Sequence, residues 1–125
     1  MRRSKFIVSL LLLAVVTSLF AISPVLAASD YYEGTYNGNQ YICHASLTPS
    51  LARATISCEN KTIKLRVNST VKYQIGSTTQ SVSGTDSRTA FAGVDIPATT
   101  GTTLLSGDFQ YLIRTSQVYR TSLKN

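Results

Sequence analysis

Four neighbouring residue types in this sequence carry the most reactive side chains: Cys43, His44, Cys58 and Glu59. A thiol beside an imidazole is the pairing of a cysteine nucleophile with its base. Two cysteines, a histidine and a carboxylate approach a zinc ligand set, which needs about four donors around one ion. Both chemistries require the side chains to converge. On a β-strand, successive side chains point to opposite faces, so Cys43 and His44 would diverge. The expectation is neither metal binding nor thiol catalysis. The other acids, Asp30, Glu33, Asp86, Asp95 and Asp108, show no calcium-loop spacing and no obvious pair for glycoside cleavage. No G-x-S-x-G elbow, phosphate loop or dinucleotide fingerprint occurs. A hydrolase would have to draw His44, Asp86, Asp95 and Asp108 together in three dimensions. The reading is a non-catalytic protein without cofactor.

The elements that place these residues are strands. Residues 28–125 are rich in Ser, Thr and Tyr, and no apolar pattern of helical period is sustained there. Ile63 to Ile75 alternates most clearly: Ile63, Leu65, Val67, Val71, Tyr73 and Ile75 share one face with Ser69. Lys64, Arg66, Asn68, Thr70, Lys72 and Gln74 share the other. That is the pattern of an antiparallel sheet with one buried side. Asn68-Ser69 is a place where this strand would bend or split. Asn37-Gly38 predicts a two-residue hairpin turn, since both positions accept a positive φ. It joins strands near Tyr31–Tyr36 and Asn39–Leu47. Thr48-Pro49-Ser50-Leu51 reads as the next turn, and Ala52, Ala54, Ile56 and Cys58 continue an apolar face. Thr79–Thr85 reads as a polar edge strand, and Thr89–Ile96, Leu104–Arg114 and Val118–Leu123 as further strands. Seven or eight short strands predict an all-β domain: a small antiparallel β-sandwich, immunoglobulin-like or related, or else a small barrel. The absence of Trp argues against a true immunoglobulin domain.

The cysteines have a structural reading on this scaffold. With the second turn at Thr48–Leu51, pairing of residues whose numbers sum to about 101 sets Leu47 opposite Ala54 and Cys43 opposite Cys58. Both would lie on the apolar face, close enough for a disulfide. Closing that loop contributes roughly 3 kcal/mol in the chain-entropy model. An exported domain normally oxidises such a pair, so a Cys43–Cys58 disulfide is expected.

Two surfaces are candidates for binding. Lys64, Arg66 and Lys72 share the outward face of the long strand, with Lys61 in the turn before it. Residues two apart stand about 6.6–7 Å from each other on one side of a strand. The row suits the phosphates of a cell-wall polymer or lipid headgroups; the plainer reading is a face that only keeps the sheet soluble and blocks edge-to-edge pairing. Tyr31, Tyr32, Tyr36 and Tyr41 crowd the first hairpin beside Asn37, Asn39 and Gln40. Such rings stack on a glycan or anchor a surface protein, or alternate into the core. Asn60-Lys61-Thr62 and Asn68-Ser69-Thr70 match the N-glycosylation pattern, which has meaning only in a eukaryotic host.

The N-terminus supplies the address. Arg2, Arg3 and Lys5 precede an uncharged run from Phe6 to Ile22, then Pro24 and the small-residue site ending at Ala27. This is the layout of a secretory signal peptide spanning residues 1–27, cut before Ala28. No transmembrane span remains after cleavage, and no cysteine follows the cut to carry a lipid. The removed segment holds three of the twelve Lys and Arg and none of the six acids, so the formal charge falls from +6 to +3. That weakens any argument for nucleic acid as the partner. The reading is a secreted or envelope-associated binding module, residues 28–125, whose partner is a cell-wall polymer, glycan or surface protein. The alternative is a secreted antimicrobial, bacteriocin-like protein, in keeping with its small size and basic charge.

Overall fold

The computed structural model describes residues 28–125; the expected signal peptide lies outside the described residues. Eight strands follow one another: β1 (Ala28–Tyr36), β2 (Asn39–Leu47), β3 (Leu51–Cys58), β4 (Lys64–Ile75), β5 (Thr78–Thr89), β6 (Phe91–Pro97), β7 (Thr102–Ile113) and β8 (Ser116–Lys124). They form two four-stranded sheets, ordered β1-β2-β3-β6 and β5-β4-β7-β8. Every pairing is antiparallel. The chain passes from one sheet to the other after β3, after β5 and after β6. All-β and sandwich-like is therefore right. The strand order departs from the immunoglobulin pattern, in which the first two strands share a sheet with the fifth and fourth and the second pairs with the fifth. Here the third strand takes the place beside β2.

The local rules explain most of this. Asn37 and Gly38 hold φ of 50° and 79°, the left-handed pair that a tight hairpin needs. Asn68-Ser69 does not interrupt β4, which runs unbroken from Lys64 to Ile75. Its irregularity falls at Lys72/Tyr73 against β7. Leu65, Val67, Ser69 and Val71 are buried, and pack in one core with Cys43, Leu47, Ile56, Leu104, Phe109, Tyr111 and Ile113. A leucine-sized side chain brought fully from water into such a core contributes about 1.5–3 kcal/mol.

The two sheets are closed differently along their two sides. On one side, Tyr32 of β1 stacks on Tyr119 of β8 with centroids 4.2 Å apart and planes 4° apart. The Tyr119 hydroxyl donates to the Asp30 carboxylate. On the other, Gly84 of β5 lets the sheets approach. A Cβ there would lie 2.9 Å from Cγ1 of Val94, closer than real Cβ contacts come. Beside it the Gly93 amide donates to Oδ2 of Asp86 at 2.9 Å.

The expected disulfide is absent. The Thr48 hydroxyl accepts from the amides of Ser50 and Leu51, at 3.3 and 3.0 Å, and the Thr48 amide donates to the Leu51 carbonyl. That tight closure pairs Leu47 with Ala52, so register numbers sum to 99 instead of 101. Cys43 faces Ile56, and Cys58 faces Tyr41. The cysteines are left as diagonal neighbours on one face. Diagonal positions stand about 7–8 Å apart, beyond what a disulfide bridges without backbone movement. Both are free, buried thiols, and burial pushes the Cys43 thiol up to about 12. The core stands without a cross-link.

Two outcomes follow from this packing. A thiol reagent is expected to label neither cysteine in the native protein and both in denaturant, with the same melting temperature with and without reductant. Labelling that requires prior reduction would contradict the register. Ser69 Oγ is the one buried side-chain polar atom lacking a partner among the described residues. Ser69→Ala removes an uncompensated hydroxyl, and should raise stability by about 1 kcal/mol in denaturant titration.

Candidate functional site

The alternation that builds the core also sorts the charges. Lys64, Arg66, Asn68, Thr70 and Lys72 point away from the core on the outer face of the second sheet, and the three cations are exposed. Their cross-strand neighbours carry no acid. Lys64 faces Thr89, Arg66 lies between Ser87 and Leu112, and Lys72 lies between Ser81 and Ser106. None of the three forms a salt bridge among the described residues. The outward residues of β5 are all hydroxyls: Thr79, Ser81, Ser83, Thr85, Ser87 and Thr89.

A hydrogen-bond relay runs across the middle of this face. Thr85 Oγ1 donates to Asn68 Oδ1 at 3.0 Å, and Asn68 Nδ2 donates to Gln110 Oε1 at 3.0 Å. Gln110 Nε2 then donates to Gln117 Oε1 at 2.6 Å. The relay crosses all four strands of the sheet. Asn68 is thereby engaged in the sheet, and Ser69 of the same glycosylation motif is buried in the core.

Strand β8 adds cations that the sequence reading did not include. Arg120 and Lys124 project from the same face, opposite Gln110 and Ser106. Lys72, Ser106 and Lys124 thus lie in one row across β4, β7 and β8. They border a shallow recess of about 320 Å³ that also takes in Thr70 and Ser122. Two ammonium groups with several hydroxyls form a donor set for a phosphate or sulfate oxygen. One carboxylate, Asp108, lies in the recess. Its charge is taken up by Arg120, whose Nη2 donates at 2.6 Å, and by the Ser122 hydroxyl at 3.2 Å. The Arg120 bond holds the Asp108 carboxyl below the usual carboxylate range. The signal that could have found β8 is the outward set Arg120, Ser122 and Lys124, but its neighbours are fixed only by the sheet order.

The other candidates separate. Lys61 lies off this face, beside Glu59 and Phe91 near the first sheet. The four tyrosines do not make one surface. Tyr41 is buried at 5% exposure, Tyr36 packs against the core, and Tyr32 closes the seam on Tyr119. Tyr31 alone stands free on the outer face of the first sheet, 58% exposed. The hydrolase set does not assemble either. Asp108 belongs to the second sheet's outer face, while His44 and Asp95 lie on that of the first. Arg53 holds Asp95 through bonds of 2.8 and 3.0 Å, and Asp86 is engaged at the β5/β6 seam by the Gly93 amide and by Arg88. Cys43 is buried and His44 exposed, on opposite faces of β2. Among the described residues, no three of His, Cys, Asp and Glu come together as a metal site, and no helix is long and apolar enough to cross a membrane.

Compared with protein-family models, with curated proteins and with solved structures, the chain matches none.

The buried phenols set the alkaline limit of the fold. Burial pushes Tyr41 up to about 12 and Tyr111 higher still. A phenol whose folded value exceeds its unfolded value of about 10 stabilises fully below that pH, and the contribution is lost as pH rises towards the folded value. Phenolate absorbance should therefore rise in two stages. Exposed Tyr31 belongs to the accessible group, and Tyr41 and Tyr111 ionise only with cooperative unfolding above pH ~10. A single non-cooperative titration of every tyrosine would contradict the packing.

Proposed function

We propose that this protein is a secreted, non-catalytic binding module that attaches to an anionic cell-surface polymer through the outer face of its second sheet. One observation carries the reading: Lys64 and Arg66 at one end of the outward face of β4 and Lys72 towards the other, with Asn68 and Thr70 between them, form no salt bridge among the described residues, and Lys124 continues the line from Lys72 across the sheet. A merely soluble face would be served by charges of mixed sign. On this face the only acid among the described residues, Asp108, is already compensated by Arg120. Spaced cations among hydroxyls suit a repeating phosphate or sulfate polymer, whose charges recur along a line. Export rests on the basic, apolar and small-residue layout of residues 1–27.

The test is co-sedimentation with cell envelopes and with anionic vesicles, at low and high salt. Each cation near such a surface contributes about 1 kcal/mol. Replacing Lys64, Arg66 and Lys72 by Glu should therefore weaken binding by ~100-fold or more. Added salt should weaken the parent protein's binding in the same direction. Asp108→Asn removes the one opposing charge and frees Arg120, and is expected to tighten binding about fivefold. Binding indifferent to salt and to the triple reversal would remove the reading.

A further inference from the structure

The outer face of the first sheet differs from that of the second. Antiparallel register sets Tyr31 of β1 beside His44 of β2, His44 beside Thr55 of β3, and Thr55 beside Gly93 of β6. These four form one row across the strands. Tyr31 and His44 meet edge to face, with ring centroids 6.2 Å apart. At the far end the row has no side chain of its own, because Gly93 occupies it. The Phe91 ring fills that place: a Cβ on Gly93 would lie 3.4 Å from Phe91 Cε2. Phe91 is nevertheless 51% exposed. The result is a shelf of three rings, Tyr31, His44 and Phe91, with the small Thr55 between the last two. Neighbouring strands stand about 4.8 Å apart, so the shelf spans about 14 Å.

The polar groups around the shelf have both signs. Arg53 and Asp95 form a two-bond pair on the adjacent row, at 2.8 and 3.0 Å. Glu33, accepting from the Tyr31 hydroxyl at 2.7 Å, sits at the other end. A recess of about 500 Å³ beside Phe91 is lined by Arg53, Asp95, Thr55 and Arg88. Positive and negative charges nearly cancel here, in contrast to the cationic face behind. Such a face has no preference for a polyanion. It offers exposed ring faces, paired guanidinium and carboxylate groups, and hydroxyls.

We propose that this shelf is a second binding site, and that its ligand is a neutral glycan. A pyranose ring presents C–H bonds on one side, which suit the negative face of an aromatic ring. Its hydroxyls both donate and accept, as Arg53, Asp95 and Thr55 require. Several rings along a line fit a chain of sugars better than a single small molecule. A single line of rings bordered by charged and hydroxyl side chains is also a poor match for a protein partner, whose anchors sit in a contiguous dry patch. The site is independent of the cationic face, and the two readings fail separately.

Affinity electrophoresis tests it. The protein is run through gels cast with a neutral β-glucan, mannan, galactan or soluble chitin oligomers, and with a sulfated polymer for comparison. At least one neutral gel should retard the protein. Phe91→Ala should weaken that retardation at least tenfold, and Arg53→Ala should weaken it too. Phe91→Tyr should retain it, and the Lys64, Arg66 and Lys72 reversal should leave it unchanged. Thermal melts of each variant separate lost binding from lost folding. Three results would overturn the proposal: no retardation in any neutral gel, retardation equal in Phe91→Ala and the parent, or retardation by the sulfated polymer alone.

Discussion

The register of β4 is the constraint on which the rest depends. This strand is paired on both sides, with β5 and with β7, and every residue of it has a fixed side to face. Leu65, Val67 and Val71 must enter the core, so Lys64, Arg66 and Lys72 must leave it. A slip of one residue would reverse the whole set, burying three cations and exposing three apolar side chains. Burying even one unpaired ammonium group costs several kcal/mol. The hydrophobic core and the cationic face are therefore one decision. Neither set can change sides without the other, and the Thr85–Asn68–Gln110–Gln117 relay pins the same register from the solvent side.

Around that strand the molecule has two unlike exteriors. The second sheet shows cations and hydroxyls, while the first shows a line of rings beside a balanced ion pair. The tyrosines mark the boundary. Tyr32 and Tyr119 hold the two sheets together at one side, and Tyr111 reaches across the core to donate to the His44 carbonyl at 3.0 Å. Aromatic residues that read as a surface in the sequence thus serve largely as joints. Tyr31 keeps the most exposure, because it alone of the hairpin group falls on the outward phase of a strand that borders the sheet.

How far the fold was legible depended on how local the signal was. The Asn37-Gly38 turn, β2 and the two faces of β4 were readable, because turn chemistry and period-two alternation act over a few residues. The edge position of β5 was readable from its polar composition. The Cys43–Cys58 pairing was not. Both residues were placed on the correct face, but the Thr48 side chain tightened the turn and moved the register by two. Alternation cannot detect a shift of two, since it leaves every residue on the same side. Lys124 and Phe91 were missed for a different reason. Each joins its site through strands distant in sequence, and only the order of strands in the sheets makes them neighbours. Phe91 depends as well on Ala90, whose φ of 72° turns the chain from one sheet into the other within a single residue.

The brevity of such links bears on how the protein is destroyed. The longest connection between strands runs over residues 59–63, and several are one or two residues long. A protease must draw an extended stretch of backbone into its cleft, and none of these turns can supply one without unzipping the strands beside it. The three passages between sheets prevent either sheet from opening alone. Cleavage must therefore wait for the whole domain to unfold, so lifetime among proteases is governed by the population of the unfolded chain or by the rate at which it appears. A cross-link would not lengthen that wait by guarding any loop, because no connection among the described residues exceeds five residues. Persistence here is built into the threading of the chain.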